Sequence, residues 1–349
     1  MEQRDLGRTG MSVSTLCLGT MMFGAWGEKD HDESVRIIHA ALDAGINFVD
    51  TADIYAQGES EEILGKALTG ARRDEVILAT KAHGQMGEKD GGTNRRGNSR
   101  RWITKEVESS LERLQTDWID LYQMHRHEPD TDHEETLGVL TDLQRAGKIR
   151  AFGCSTFPAH EIVRAHWTSE KRMLGRYVTE QPPYSILTRE IERDVLPVCA
   201  DFGMGVIPWS PLAGGWLTGR YRKGQEAPES HRASMTGGRM EKDSGANADK
   251  LEAADALAQL AEEAGISLIH MALAFTLAHP AITAPIIGPR TMEQLESQLG
   301  AGDVVLSKDV LDRIDVIVPP GVTLGQDDAL YGSVFTEEAA RRRRPSGLA

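Results

Sequence analysis

The chain has 349 residues, 40% apolar and 26% charged, proportions that are ordinary for a globular protein. Its 39 basic and 53 acidic side chains give a net charge of −14, which argues against a general affinity for nucleic acid or anionic membranes. The three cysteines are far apart, and neither a leader peptide nor a membrane-spanning run is evident, so we expect a cytoplasmic protein with reduced thiols.

Short β-rich runs alternate with helical patterns along the chain. The first dozen residues, with the turn LGRTGM, predict a β-hairpin. Eight later runs are apolar almost throughout, which is typical of parallel strands covered on both faces. These runs are residues 15–20, 47–52, 75–81, 119–125, 151–156, 177–181, 205–210 and 284–289.

Between the runs, apolar residues recur at helical spacing. The sets expected to share a helix face are Val35, Ile38 and Leu42; Ile103, Val107 and Leu111; Leu137 and Leu140; and Ile191 and Val195. Gly45, Gly147 and Gly203 stand where helices should end, as C-terminal glycines do. Ser60 is expected to cap the helix that follows the second run.

Eight strands that alternate with helices predict an α/β fold, a (β/α)₈ TIM barrel over residues 1–320 with the hairpin at its floor. An open doubly wound sheet is less favoured, because no G-x-G-x-x-G follows a strand. Residues 307–317 predict an extra C-terminal helix, and 321–349 a tail ending in a solvated RRRRPSGLA. The long segment 210–249 is expected to act as a binding loop or flap, with Arg220, Arg222 and Lys223 closing over a ligand.

Four chemically active residues lie at the ends of three consecutive predicted strands. Asp50 and Tyr55 follow the second run, Lys81 ends the third, and His125 ends the fourth. Singly, each has a structural explanation, but the C-terminal ends of barrel strands meet at one mouth. An ammonium beside a phenol makes the phenolic proton easier to donate, so the set suits protonation of a carbonyl oxygen. No side chain donates hydride, so a cofactor is also required.

Several motifs in fixed order resemble the aldo-keto reductases, in particular the branch that contains the potassium-channel β subunits. The motifs are DTADIYAQGESEEILGKAL, ATK, DLYQMH, GKIRAFGCSTF, EQPPYSIL, WSPLAGGWLTGRY and PIIGPRTMEQLESQLGA, and the likeness covers residues 4 to 318. The resemblance implies an enzyme that reversibly reduces an aldehyde or ketone with a nicotinamide cofactor. It also implies a catalytic tetrad of Asp50, Tyr55, Lys81 and His125.

Further residues are expected to bind that cofactor. Ser155, Thr156 and Gln181 offer hydrogen bonds to a carboxamide, although the family usually has Asn where Thr156 stands. Trp209 is expected to stack on the nicotinamide, and Arg290 at a helix start to bind a 2′-phosphate, which favours NADPH. The resemblance also implies contacts from Gly19, Thr20, Ser210, Leu212, Gly214, Gly288, Gln294 and Gln298, of which Gln294 also fits a capping box with Thr291.

Two other functions stay open from sequence alone. The chain could be a nicotinamide-binding regulatory subunit with vestigial activity, or a barrel lyase or isomerase without redox chemistry. No H-E-x-x-H or G-x-S-x-G motif is present. No metal site is expected, because His125 and His127 in HRH share a strand face without further ligands. The predicted partner is a small carbonyl substrate whose identity, like the oligomeric state, the sequence does not fix.

Overall fold

A computed structural model describes residues 1–87, 94–226, 237–242 and 244–325. The strands in chain order are β1 (Gln3–Asp5), β2 (Ser12–Ser14), β3 (Cys17–Gly19), β4 (Phe48–Asp50), β5 (Ile77–Ala82), β6 (Ile119–Met124), β7 (Ile149–Cys154), β8 (Thr179–Glu180), β9 (Gly205–Val206) and β10 (Ile286–Ile287). The α-helices are α1 (His31–Asp43), α2 (Glu59–Ala67), α3 (Arg100–Leu114), α4 (His133–Arg145), α5 (Ala159–Arg172), α6 (Val195–Phe202), α7 (Ala248–Glu263), α8 (Leu268–Ala278), α9 (Met292–Leu299) and α10 (Lys308–Ile317).

Eight parallel strands of the described residues form one curled sheet, in the order β10-β3-β4-β5-β6-β7-β8-β9. Its two edges meet, because the amide of Thr283 donates to the carbonyl of Val206 and that of Ile286 to Pro208, each over 2.8 Å. Helices follow the strands, and the alternation confirms the predicted (β/α)₈ barrel. All eight predicted runs overlap a strand; β5 extends one residue beyond its run, β7 begins two residues before its run, and the other six strands lie within theirs.

The hairpin packs on the lower interior of the barrel, as predicted. Strands β1 and β2 are antiparallel, and Leu6 and Val13 are fully buried. These two side chains join an apolar cluster to which the barrel strands and the residues flanking them contribute inward-facing residues. Its other buried members are Cys17, Phe48, Ala79, Leu121, Ala151, Ile207, Ala284 and Ile286. The floor is therefore filled by apolar side chains.

The helices pack their apolar faces against the outside of the barrel. Ile103, Val107 and Leu111 of α3 are buried there, as their spacing predicted. Ser99 caps the start of this helix by accepting the amide of Trp102 over 3.3 Å. Gly45, Gly147 and Gly203, whose φ angles are 93°, 76° and 64°, end their helices in the left-handed conformation as predicted.

Two local predictions were wrong. Ile191 and Val195 do not share a helix, because Ile191 lies in a 3₁₀ turn (Glu190–Glu192) and α6 begins only at Val195. Pro197 has no amide to donate, and the first turn of a helix is where that loss costs least. Ser60 does not cap α2, whose N-cap residue is Gly58 without a side-chain bond.

The C-terminal part of the described chain contains the predicted extra helix, α10, which Ser307 caps through the amide of Val310. The proposed division between a barrel of residues 1–320 and a tail stays a prediction, since 326–349, including the basic cluster, lie outside the described residues. In the described residues, no single helix is long and apolar enough to cross a membrane. Helices α7 and α8 meet that length and composition test only as a pair, bent by 96°.

Candidate active site

Lys81 is the centre of a buried polar cluster inside the barrel mouth. Its side chain is 0% exposed, and its ammonium makes three hydrogen bonds. The partners are Asp50 Oδ2 at 2.6 Å, the Thr51 carbonyl at 2.7 Å and Tyr55 Oη at 3.1 Å. An ammonium has three protons, so the hydrogen-bonding capacity of Lys81 is fully used and its position is fixed.

Asp50 is held from its other side by two buried amides. Gln181 Nε2 donates to Asp50 Oδ1 over 2.8 Å, and Gln123 Nε2 donates to the same oxygen over 3.1 Å. Gln181 also reaches Gln123 Oε1 at 3.4 Å. Each oxygen of the buried carboxylate therefore has charged or polar partners, as a buried charge requires. Gln123 was not among the residues predicted from the sequence.

The two-residue period of a strand explains how these polar groups come together. Side chains at i and i+2 of a strand face the same side. Phe48, Ala79 and Leu121 face inward in the apolar floor, so Asp50, Lys81 and Gln123 face inward one layer higher. His125 follows two residues after Gln123, which brings it to the mouth.

Tyr55 joins the buried cluster to the open mouth. Its half-buried ring lies in a tight turn (Tyr55–Gly58), where Ala56 and Gln57 take left-handed φ angles of 48° and 59°. His125 meets the ring edge-on, with 5.9 Å between ring centroids, and Trp26 lies 6.1 Å away at a tilt. The four predicted catalytic residues are thus adjacent: the phenol oxygen contacts the buried ammonium, and the half-buried imidazole packs against the phenol ring.

The charges of this site follow from its burial and its partners. Burial alone would lower the pKa of Lys81, but the neighbouring Asp50 and Tyr55 outweigh it and raise that pKa, so the ammonium stays charged. Burial, reinforced by the positive charge of Lys81, holds the pKa of His125 well below its ordinary value. A neutral imidazole therefore stands beside a charged ammonium.

Three hydroxyls next to the site, those of Thr20, Thr51 and Ser60, form a small network of their own. Ser60 Oγ donates to the carbonyl of Thr20 over 2.9 Å and lies 2.8 Å from the Thr20 hydroxyl and 3.1 Å from that of Thr51. This network fastens the start of α2 to the ends of β3 and β4. Thr20 is fully buried, and Gly19 is required by packing, because a Cβ there would lie 2.5 Å from Ile286 Cγ2.

Of the three predicted carboxamide ligands, Ser155 and Gln181 are buried inside the barrel. The hydroxyl of Ser155 donates to the Gln181 carbonyl over 2.8 Å, and the Gln181 amide nitrogen is directed to Asp50. Thr156 lies at the rim with a left-handed φ of 57°, and its hydroxyl lies 3.4 Å from Trp209 Nε1. The three residues are neighbours, and Trp209 is half-buried beside them.

A cleft runs from Trp209 under the segment that follows β9. Its lining includes three predicted cofactor residues, Trp209, Ser210 and Gly214, together with two basic residues that were not predicted, Arg239 and Lys250. Left-handed φ angles recur here, from Ser210 (57°) to Gly215 (118°), and turn the backbone in tight steps. Leu212 is half-buried in the same turn.

The predicted phosphate residue lies just before α9. Among the described residues the Arg290 guanidinium makes no hydrogen bond or ion pair, while its backbone amide donates to Gln294 Oε1 over 2.8 Å. Thr291 caps the helix by accepting the Gln294 amide over 3.3 Å, as predicted. Gln298 is buried and bonds the Gln294 carbonyl, whereas Gly288 is exposed.

Two of the basic residues expected to close over a ligand, Arg222 and Lys223, instead pair with acids of α7. Arg222 donates to Asp255 Oδ1 over 2.8 Å and to Glu262 Oε1 over 2.7 Å, and Lys223 pairs with Glu252. These acids all lie on α7, so both cations hold the segment against that helix. The hypothesis that they close over a ligand gains no support from this arrangement, and residues 227–236 and 243 lie outside the described residues.

Comparison with known proteins gives consistent matches over almost the whole chain. The model of the aldo/keto reductase family matches residues 15–319. The uncharacterized oxidoreductase YrpG of Bacillus subtilis is 42% identical over 92% of this chain and 97% of its own length. The aldo-keto reductase YhdN of the same organism is 37% identical over 85% and 87%, and a probable voltage-gated potassium channel subunit beta of Oryza sativa subsp. japonica is 33% identical over 91% and 97%.

Proposed function

The chain belongs to the aldo/keto reductase family of oxidoreductases, and on that basis we propose that it reduces an aldehyde or ketone to an alcohol with NADPH, and catalyses the reverse reaction with NADP⁺. The observation that carries the proposal is the three-way contact of Lys81 with Asp50 and Tyr55. In the described fold, no other feature explains why the buried ammonium of Lys81 contacts the half-buried phenol of Tyr55.

In this proposal Tyr55 is the general acid. Its hydroxyl gives a proton to the substrate carbonyl oxygen, and the phenolate that remains is stabilised by Lys81 at 3.1 Å. Asp50 fixes the ammonium, while Gln123 and Gln181 fix Asp50. A neutral His125 beside the Tyr55 ring can donate to the same carbonyl oxygen and orient it, without competing for the proton.

The residues of the adjoining cleft fit a nicotinamide dinucleotide. When bound, its reduced form supplies the hydride that no side chain can donate. Trp209 offers an aromatic face beside Ser155 and Thr156, and the backbone turns near Gly214 allow close approach of a pyrophosphate. Arg239, which lines the same cleft, adds positive charge in a protein that is acidic overall.

Arg290 supports NADPH over NADH. Its guanidinium, unpaired among the described residues and next to the start of α9, suits the 2′-phosphate that distinguishes the two cofactors. Replacing Arg290 by Ala should raise KM for NADPH by about 10- to 100-fold, as expected for the loss of a charge-assisted hydrogen bond, and leave KM for NADH nearly unchanged. Equal changes for both cofactors would count against this role.

The experiment that tests the catalytic proposal compares wild type with Tyr55→Phe. NADPH oxidation is followed optically with a panel of aldehydes and ketones, and NADPH binding is measured by fluorescence. We expect turnover to fall by about 10²- to 10⁴-fold while binding persists, since only the proton donor is lost. Unchanged turnover in the variant would remove Tyr55 from the mechanism.

The same assay separates the alternatives. A regulatory subunit would bind NADPH with no appreciable wild-type turnover on the whole panel, and a lyase or isomerase would show no NADPH binding at all. The complete tetrad favours the enzyme. We also propose a cytoplasmic location, because Cys17, Cys154 and Cys199 are all buried free thiols, as is usual where thiols are kept reduced.

A further inference from the structure

Three potential metal ligands converge beside the barrel mouth, away from the proposed tetrad. His127 lies in the segment after β6, His133 is the first residue of α4, and Glu161 lies in the first turn of α5. Glu161 Oε2 lies 2.9 Å from His133 Nε2 and 3.5 Å from His127 Nε2. Three segments separated along the chain thus place two imidazoles on one carboxylate oxygen.

The spacing of these atoms is that of a metal coordination shell. Zinc binds histidine nitrogen and carboxylate oxygen at about 2.0–2.2 Å in tetrahedral geometry, which sets neighbouring ligand atoms about 3.4 Å apart. The two measured separations, 2.9 and 3.5 Å, bracket that value. All three ligand atoms lie within 4.8 Å of one another. Small side-chain rotations would complete the shell.

The orientation of Glu161 also favours a ligand. Its Oε1 is paired with Arg164 at 2.8 Å, so Oε2 is the oxygen directed to the imidazoles. A simple ion pair needs one imidazole, and His133 already supplies it. The second imidazole is nevertheless positioned, since the ring of His127 packs edge-on against Phe157, with 5.4 Å between centroids.

We propose that His127, His133 and Glu161 form a binding site for one divalent transition-metal ion, with Zn²⁺ as the best match. Two nitrogens and one carboxylate oxygen suit zinc and its neighbours, whereas Mg²⁺ and Ca²⁺ prefer shells made of oxygen. The side chains are 21%, 12% and 7% exposed respectively, so an ion can enter from solvent yet lose most of its water. His160 Nε2, 3.3 Å from Glu161 Oε1 and on a 73% exposed side chain, can approach the fourth position, which water would otherwise fill.

The ion would act on the rim of the mouth. It would join the segment after β6 to the starts of α4 and α5, only two residues beyond His125. The sequence led us to expect no metal site, because His127 was placed on the same strand face as His125 with no further ligands. In the structure His125 turns to Tyr55, and His127 turns away to partners on two helices. The proposed metal site does not depend on the proposed reductase activity.

The test is Zn²⁺ binding to the full-length, untagged protein after treatment with EDTA, measured by titration calorimetry and by metal content after dialysis. We expect one Zn²⁺ per chain, a rise in Tm with added ZnCl₂, and no such effect of MgCl₂ or CaCl₂. In His133→Ala and Glu161→Gln, affinity should fall by roughly 100-fold or more, since even outer-shell changes cost about 10- to 100-fold. Absence of saturable 1:1 binding in the wild type would overturn the proposal.

Matched controls separate the site from adventitious binding. His31 Nε2 lies 2.8 Å from Glu59 Oε1 without a second imidazole in the described chain, so His31→Ala should bind Zn²⁺ like the wild type. His127→Ala removes the most exposed ligand and tests the site independently if the Glu161 variant fails to fold. Circular dichroism without metal checks that each variant is folded. Wild-type affinity in His127→Ala, or a loss in His160→Ala as large as in His133→Ala, would contradict the three-residue assignment.

Discussion

Two buried charge clusters lie on opposite faces of strand β5, one residue apart. Lys81 faces the barrel interior and pairs with Asp50 at 2.6 Å. Its neighbour Thr80 faces the helices and donates to Glu61 over 2.6 Å. Glu61 in turn binds Arg113 at 2.7 Å, so the outer cluster, like the inner one, joins a cation to a buried carboxylate.

The clusters differ in what lies at their ends. The outer one is closed, because Arg113 binds both Glu61 and Glu106 between α2 and α3. Burial opposes the charged guanidinium, but the two carboxylates outweigh it and raise the pKa of Arg113. The inner one continues to Tyr55 at the mouth. A buried ion pair is thus no sign of function by itself, and the proposed function depends on Tyr55, the half-buried titratable group that contacts the inner pair.

The largest expected effect is on the inner cluster and rests on the proposed function. Replacing Lys81 by Met should lower kcat for NADPH-dependent reduction by about 10²- to 10⁴-fold, because the Tyr55 phenolate loses its ammonium. Steady-state assays with both substrates saturating measure it, with folded fraction and NADPH affinity as controls. A kcat within threefold of wild type would show that the inner cluster, like the outer one, has no role in catalysis.

The matching change in the outer cluster should affect stability instead. Arg113→Met leaves Glu61 and Glu106 buried without a cation, and we expect the free energy of unfolding to fall by about 3–5 kcal/mol. The loss should be near the lower figure, because burial already raises the pKa of Glu106 and favours its neutral form. Urea unfolding measures the change. The kcat of the folded fraction should stay unchanged, and a drop like that of the Lys81 variant would be the contrary result.

Glu180 extends the comparison to a buried carboxyl that forms no ion pair within the described part of the chain. It is fully buried and accepts the Phe157 amide over 3.1 Å, while its Oε2 has no partner among the described residues. Burial raises the pKa of Glu180 to about 7 from an ordinary 4.5, so its neutral form stabilises the fold. That contribution is complete below pH 4.5 and is lost as pH rises through about 7, with a total of about 3 kcal/mol.

The measurement is urea unfolding of wild type and Glu180→Gln at several pH values between 4.5 and 9. Wild type should lose about 3 kcal/mol relative to the variant over this range, because glutamine cannot ionise. Parallel pH profiles for the two proteins would mean that Glu180 ionises in the fold as freely as in the unfolded chain.

The smallest expected effect tests the two faces of β5 most directly. Thr80→Val keeps the side-chain shape but removes the hydrogen bond to Glu61, which should cost about 1.5–2 kcal/mol of unfolding free energy. Because Thr80 faces away from Lys81, kcat should not change. Thermal unfolding and the reductase assay on one preparation measure the stability and kcat of this variant. A lower kcat in a fully folded variant would show that the outer face of β5 affects the inner one.

The fold and the proximity of the four proposed catalytic residues could be predicted from the sequence for the same reason. Parallel strands buried on both faces are almost continuously apolar, so a polar residue such as Asp50 or Lys81 stands out where a strand ends. Gln123 was missed because it lies inside an apolar run, IDLYQMH. The spacing of two that relates Phe48 to Asp50 and Leu121 to Gln123 would have found it.

Other features were out of reach because distant segments determine them. Ser60 has the local pattern of a helix cap, but the end of β3 brings Thr20 against it, and the hydroxyl bonds there instead. His133 and Glu161 are 28 residues apart and meet only because successive helices lie side by side. The spacing of residues within one short segment does not predict such contacts between distant segments.

The apolar floor beneath the polar layer has a kinetic consequence. Because Leu6 and Val13 fill the lower end of the barrel in the described structure, cofactor and substrate must both enter at the mouth. If the nicotinamide binds deeper in the barrel than the carbonyl substrate, as proposed, the substrate must bind after the cofactor and the product must leave before it. Product-inhibition kinetics should accordingly show an ordered mechanism, in which NADPH binds first and NADP⁺ is released last.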